Sequence, residues 1–379
     1  MRVLHIGKYF APFTGGIERF MADLMAALTR QGVANAAIVH RHDRGPGMQQ
    51  PAGIYRAPRW RQMLYTPISP TFPRWLERAI DEFVPDLLAF HLPNPSALWA
   101  LRVGAARGLP WVVHWHADIA AGHDWRLALA YGGYRPLERH FLARARAVVV
   151  TSPPYLASSR ALAPWRDKCR VIPLGLEPQR LARADARTQA LAATTWGDAP
   201  HRILAVGRLA PYKGFDVLIE AVASLADTRV LIVGEGEGRR PLERLIDALG
   251  LRDRVQLLGF QPDTHLGALF QSCDIFCLPS TERTEAFGVV LLEAMGYGKA
   301  VVASAIAGSG VGWVVERAGH GHTVPPKNAA ALRQTLVALL RDGELRQRLA
   351  DRGRRALAEQ FHIDHIATQT RQLYGDVAL

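Results

Sequence analysis

Residues 274–304 read DIFCLPSTERTEAFGVVLLEAMGYGKAVVAS, and the order of properties along them decides the fold. Asp274–Pro279 is a short apolar run without polar alternation, the mark of a strand buried on both faces. A polar loop follows, then the apolar helical stretch Gly288–Tyr297, then a second strand-like run, Ala300–Ser304. Unalternated strands separated by helices predict a parallel sheet covered on both sides.

Outward from this stretch the pattern repeats. Upstream come strand Arg202–Gly207, helix Gly214–Ala226, strand Arg229–Gly234, helix Arg239–Leu249, strand Val255–Gly259 and helix Pro262–Ser272; downstream, two helical stretches run from about Asn328 to Phe361. The series starts after an irregular segment, Thr194–His201. Before it lies another series: Arg2–Gly7, a helix over Gly16–Gly32 with Phe20, Leu24 and Leu28 on one face, Val33–Val39, Asp86–Phe90, a helical Ser96–Arg107, Trp111–His116, a long helix around Arg126–Arg144, Ala147–Thr151 and Arg170–Pro173. The chain has 379 residues, 49% of them apolar, which is too long for one core and too apolar for disorder. Two doubly wound α/β domains are expected, with ligands at the carboxyl ends of the strands.

The charge is lopsided. Residues 1–175 hold 22 Lys/Arg and 11 Asp/Glu, a net of +11, whereas residues 176–379 hold 24 and 23, a net of +1. One basic half beside a near-neutral one suggests a lobe that faces an anionic surface. The aromatic and basic residues Arg56, Arg59, Trp60, Arg61 and Tyr65, with the run from Trp125 and Arg126 to Arg146, fit lipid head groups; solvated arginines are the plainer reading. No apolar run reaches membrane-spanning length, and the first residues do not make a signal sequence, so an intracellular, soluble or peripheral protein is expected. Cys169, Cys273 and Cys277 are too few for a disulfide framework or a zinc site.

Four turns at strand ends carry the candidate chemistry. Gly15-Gly16-Ile17-Glu18 opens a helix whose free N–H groups favour phosphate, although paired glycines also make plain turns. Arg208 and Lys213 share the loop Gly207–Asp216, where a cation pair would neutralise a departing diphosphate. Glu285 stands before the helix that Gly288 opens, and Glu293 lies inside it, so both carboxylates could face one crevice and accept paired hydroxyls. An unpaired Glu293 within Val289–Met295 would be costly. His114-Trp115-His116-Ala117-Asp118 closes a strand; two histidines at i, i+2 admit a metal ligand pair without a third partner, ordinary packing, or a substrate contact at His116.

Taken together, these segments resemble the retaining glycosyltransferases of family 4, which have the GT-B architecture: α/β, two Rossmann-like doubly wound domains facing a central cleft. The carriers are Gly207-Arg208-Leu209 with Lys213-Gly214, the pair Glu285 and Glu293 spaced around Phe287-Gly288, Gly15-Gly16-Ile17-Glu18, and Gly234-Glu235-Gly236. The resemblance implies an acceptor-binding domain over 1–175, with a last helix, 362–379, packing back on it, and a nucleotide-sugar domain over 176–361. It implies that Arg208 and Lys213 hold the donor diphosphate, helped by backbone around Gly16 and Gly288. It places Glu285 on the hydroxyls of the transferred sugar, Glu293 on the ribose diol and His116 beside sugar and acceptor. Glu235, Phe287 and Val289 complete the donor site, with the Leu257–Phe260 loop near the base.

No two Asp stand at i, i+2, so neither a metal nor any other cofactor is expected, and Arg208 and Lys213 would replace it. Similar segments in bacterial transferases of O-antigens and exopolysaccharides make GDP-mannose the first donor guess, with UDP- or dTDP-sugars next. They imply a polyprenyl-diphosphate-linked glycan as acceptor and a place on the inner face of the cytoplasmic membrane, without nucleic acid. A nucleotide-sugar epimerase and a non-catalytic nucleotide-sugar sensor are the rival classes.

Overall fold

The computed structural model describes residues 1–10, 15–42, 52–63, 66–119 and 125–379, the side chains of 63, 66 and 125–128 excepted. Two units divide the chain: Met1–Gly175 with Ile363–Leu379, and Leu176–His362.

The first unit runs β1 (Arg2–Ile6), α1 (Gly16–Arg30), β2 (Ala34–His40), β3 (Ile54–Ala57), the antiparallel pair β4 (Arg61–Met63) and β5 (Thr66–Ile68), α2 (Phe72–Phe83), β6 (Leu87–Leu92), α3 (Gly104–Gly108), β7 (Trp111–Trp115), α4 (Trp125–Arg144), β8 (Ala147–Val150), α5 (Pro153–Ser158) and β9 (Cys169–Val171). Its seven-stranded parallel sheet has the order β3-β2-β1-β6-β7-β8-β9. Every residue of β6, β7 and β8 is buried, as strands covered on both faces must be. On α1 the apolar stripe Phe20, Met21, Leu24, Met25 and Leu28 goes inward.

The second unit contains α6 (Ala186–Trp196), β10 (His201–Val206), α7 (Phe215–Val222), β11 (Thr228–Val233), α8 (Arg239–Ala248), β12 (Val255–Gly259), α9 (Asp263–Ser272), β13 (Ile275–Leu278), α10 (Val289–Gly296), β14 (Ala300–Ser304), α11 (Gly310–Ala318), β15 (Gly321–Val324), α12 (Ala329–Arg341) and α13 (Gly343–Glu359). Its six parallel strands follow the order β12-β11-β10-β13-β14-β15. The strand order reverses between β1 and β6 in one sheet and between β10 and β13 in the other. Outside the carboxyl ends at such reversals is where open α/β sheets bind ligands.

The last helix, α14 (Ile363–Ala378), belongs to the first unit and packs on α1. Arg30 Nη2 meets Asp364 Oδ1 at 2.5 Å, Gln31 Nε2 donates to the Asp364 carbonyl at 2.8 Å, and Tyr374 is fully buried.

Two expectations need correction. Ser96–Arg107 is not one helix: a 3-10 turn over Pro95–Leu101, capped by Asn94 Oδ1 accepting from Ser96 N, gives way to the short α3. Thr194–His201 is less irregular than expected, because it contains the end of α6, stopped by Gly197 at φ 59°, and the first residue of β10. Helix α2, strand β3, helix α11 and strand β15 were not expected at all. Among the described residues no helix is long and apolar enough to cross a membrane.

Candidate functional site

In the second unit the exit of β10 is stitched by backbone to those of β13 and β11. Thr281 N donates to the Tyr212 carbonyl at 2.8 Å, and Gly207 N and Leu209 N donate to Val233 and Glu235 carbonyls at 2.9 Å each. Only glycine fits at 214, where φ is 65° and a Cβ would lie 2.2 Å from the Pro279 carbonyl oxygen. That approach sets Lys213 against the loop after β13. Gly288, with φ 76°, is the N-cap of α10 and turns the chain into that helix.

Within this frame Lys213 Nζ lies 2.6 Å from Glu285 Oε2, and the two side chains are 11% and 12% exposed. Burial alone would depress the Lys213 ammonium, but the Glu285 carboxylate and the Tyr212 hydroxyl together turn the net direction upward. Glu285 is held from three sides. Ser280 Oγ donates to its Oε2 at 3.1 Å, Ser309 Oγ donates to its carbonyl, and its own N–H donates to the Glu282 carbonyl at 3.0 Å. Both serines were missed in the sequence. Their only signal was position, at the exits of β13 and of the following strand β14.

Arg208 and Lys213 are not an equivalent pair of cations. Arg208 is about half exposed, with Nη2 3.6 Å from Glu237 Oε1, a screened surface contact worth about 0–1 kcal/mol. Glu293 is half-buried on α10 between the fully buried Leu292 and Ala294. Because α10 begins at Val289, Glu285 lies in the preceding loop and Glu293 inside the helix, as expected. Phe287 is buried, edge-on to Phe361 with ring centroids 6.4 Å apart, which leaves its main chain alone for a ligand. Val289 is half-buried at the start of α10. Glu235 is exposed, 3.7 Å from Arg239 Nη1.

In the first unit Gly16 is exposed at the start of α1, after Gly15 in extended conformation (φ −92°, ψ 154°). Glu18, in the first turn, is buried, and burial raises its carboxyl against the opposing pull of its own backbone N–H and Lys8. His116 is only 5% exposed and stands in a row of imidazoles. His5, His91 and His114 project from one face of β1, β6 and β7, with His91 in register with His114; their rings stack, His91 on His114 at 4.7 Å and 11°, and His91 on His116 at 5.3 Å and 11°. His114 Nε2 lies 2.6 Å from the Tyr374 hydroxyl of α14. Burial depresses every one of them, His5 to about 4 and His116 to about 3. The rings spend nitrogens on one another, so the row is not a metal ligand set, and among the described residues no group of three or more His, Cys, Asp or Glu could hold a metal ion.

Past this row, Asp118 Oδ1 accepts from Trp115 Nε1 at 2.7 Å and Ser159 Oγ at 2.8 Å. Glu138 on α4, missed in the sequence, is buried and accepts from the Tyr131 hydroxyl at 2.9 Å; burial and the Asp118 charge push it to about 7. Of the basic and aromatic surface residues, Trp60 is 76% exposed beside the exposed Arg61; Arg59 Nη1 donates to Gln62 Oε1 at 3.0 Å; Arg56 is half-buried. Tyr65 and the side chains of Trp125 and Arg126 lie outside the described residues.

Residues 15–175 match the family described as glycosyl transferase 4-like domain, and residues 187–356 match glycosyl transferases group 1. The O-antigen chain mannosyltransferase C of Escherichia coli is 31% identical over 99% of this chain and 98% of that one. The D-rhamnosyltransferase WbpZ of Pseudomonas aeruginosa is 33% identical over 89% and 86%. Among solved structures, a sucrose-phosphate synthase from Thermosynechococcus elongatus superposes with a TM-score of 0.81 at 23% identity, covering 99% of this chain and 98% of that one. Anabaena Alr3699/HepE in complex with UDP superposes at 0.76 and 22%, covering 99% and 100%.

Proposed function

Because the chain belongs to the group 1 glycosyl transferases with a glycosyl transferase 4-like amino-terminal half, and is thus a glycosyltransferase of GT-B fold, we propose that it transfers a hexose with retention from a nucleotide sugar to a lipid-linked glycan. The donor in this reading is GDP-mannose, and the acceptor a polyprenyl-diphosphate-linked oligosaccharide of bacterial surface polysaccharide. Relatives named as an O-antigen mannosyltransferase, a D-rhamnosyltransferase and lipopolysaccharide core glycosyltransferases support it.

The observation that carries the mechanism is the Lys213–Glu285 pair at the β10 and β13 exits. A diphosphate arriving there competes for the Lys213 ammonium. Glu285, held by Ser280 and Ser309, is then released to accept hydrogen bonds from sugar hydroxyls. As the bond from the anomeric carbon to the diphosphate oxygen breaks, negative charge grows on that oxygen, and Lys213, Arg208 and the amino end of α10 act most strongly at that moment. The acceptor oxygen bonds to the anomeric carbon on the same face, and its proton passes to the leaving phosphate oxygen. Glu285 orients the sugar and is not a covalent nucleophile; Glu293 takes the ribose diol, and Glu235, Phe287, Gly288 and Val289 contribute surface or main chain around the donor. The transfer in this reading needs no divalent ion. Trp60 with Arg56, Arg59 and Arg61 docks the first unit on anionic lipid.

Acceptor-dependent nucleotide release tests this, with GDP-mannose, UDP-glucose and dTDP-rhamnose compared in chelator and the product anomer read by NMR. GDP-mannose turnover with retained configuration is expected. Release that chelator abolishes, or an inverted product, overturns the mechanism, and preference for another nucleotide overturns the donor.

A further inference from the structure

The histidines of the first unit form a hydrogen-bonded chain with a direction. Asn35 Oδ1 lies 3.1 Å from His5 Nε2, His5 Nδ1 lies 3.1 Å from His91 Nε2, and His91 Nδ1 lies 3.1 Å from His116 Nε2. A neutral imidazole carries one donor and one acceptor, so the chemistry of one end sets every link.

That end is Asn35. Its Nδ2 reaches the Val33 carbonyl at 2.9 Å, the Met25 carbonyl at 3.2 Å and Thr29 Oγ1 at 3.1 Å. Carbonyls only accept, so the amide nitrogen faces them and the amide oxygen faces His5. An amide oxygen also only accepts, so His5 Nε2 carries the hydrogen and His5 Nδ1 is bare. His91 Nε2 must then donate to it, and His116 Nε2 must donate to His91 Nδ1. The far atom, His116 Nδ1, is left as a lone pair.

No donor meets that lone pair among the described residues: His116 Nδ1 is buried without a hydrogen-bond partner. Thr151 Oγ1 and Thr370 Oγ1 are in the same condition. These three residues line one cavity of about 10 Å³, with Phe20, Trp115 and Val149 among its apolar walls. Such a space admits one water, and one water wants two to four polar partners.

We propose that Asn35 is a positioning residue that holds His116 in the Nε2–H tautomer through His5 and His91, and that the resulting acceptor at His116 Nδ1 binds a buried water shared with Thr151 and Thr370. The chain polarises but does not conduct. A proton gained at His116 Nδ1 and passed inward would end at the amide oxygen of Asn35, which has no proton to release onward. The tautomer assignment stands whether or not His116 meets a sugar.

Long-range ¹H–¹⁵N correlation spectra of the histidine rings in the full chain test it. His5, His91 and His116 are expected as Nε2–H. His40 supplies an internal contrast, because its Nδ1 lies 2.9 Å from the Lys8 carbonyl and must carry the hydrogen. Asn35→Leu cuts the chain at its anchor and His5→Phe at the next link, and each is expected to raise the Nδ1–H form of His116 from undetectable to a resolved fraction. Thr370→Val, at the opposite end, should leave the tautomer alone and abolish the water cross-peak to the His116 ring. An Nδ1–H His116 in the unsubstituted chain overturns the assignment, even where a variant does not fold. An unchanged His116 in folded Asn35→Leu and His5→Phe overturns the role of Asn35. A missing water cross-peak in the unsubstituted chain removes the water. Loss of transfer with the tautomers intact would bear only on the proposed function.

Discussion

The two units centre their buried polar chemistry on different groups. The first lines up neutral imidazoles that hydrogen-bond one another, and burial holds His91 and His114 well below their ordinary range. The second keeps a formal charge of each sign and lets Lys213 and Glu285 neutralise one another at 2.6 Å. A neutral row can be fixed once and left rigid, because the donor and acceptor of each link are set by its neighbour. An ion pair with few other ligands is different: it is stable while closed, yet a third charge can open it.

Breaking the charged half of that contrast should have the largest effect. Glu285→Ala is expected to lower kcat/KM for transfer by about 10²-fold or more and to leave the Lys213 ammonium unpaired, costing about 3 kcal/mol in denaturant unfolding. Arg208→Ala should harm transfer at least as much, without rescue by Mg²⁺, yet shift unfolding by less than about 0.5 kcal/mol, because its contact with Glu237 is exposed. Unchanged transfer in Glu285→Ala would remove the pair from the reaction.

The neutral half should fail in acid. His5 falls from 6.5 to about 4 on folding, so below pH 6.5 the unfolded chain takes up protons that the folded one refuses. Stability is therefore present above that pH and lost as pH falls toward 4, by about 3 kcal/mol for this ring. Hydrogen exchange should show the first unit loosening before the second over this window. Equal loosening would erase the distinction between the units.

Smaller effects sharpen the comparison. Gly214→Ala forces a Cβ onto the Pro279 carbonyl and should cost about 2 kcal/mol through strain at a left-handed site, read as a fall in Tm with a matching loss of donor affinity. Trp60→Ala, on a residue 76% exposed, should leave Tm unchanged and reduce retention on anionic vesicles a few-fold, with the remainder sensitive to salt. Equal retention on neutral vesicles would dismiss the docking surface.

Much of the second unit was legible because its residues act locally. Val255–Gly259 and Ala300–Ser304 are strands over the expected residues, since an apolar run between turn residues has little alternative. Glu285 was found through its place before an apolar helix, but its lysine partner, 72 residues away, rests on a backbone crossing at Gly214 that no spacing encodes. The histidine row was less legible still. His114 and His116 could be seen as neighbours on one strand, whereas His5, His91 and Asn35 join them only through the strand order β2-β1-β6-β7. Helix α2 was readable and overlooked: Phe72, Leu76, Ala79 and Ile80 are its buried face, at helical spacing.

Helix α14 carries a consequence for biogenesis. It supplies Tyr374 to His114 and Asp364 to Arg30, so the domain that leaves the ribosome first lacks a wall until residues 363–378 are translated. Domains ordinarily mature in the order of synthesis. Here the later-made unit has all of its strands before the earlier one can close, and a nascent chain stalled short of residue 363 would leave bare the face of α1 that α14 covers.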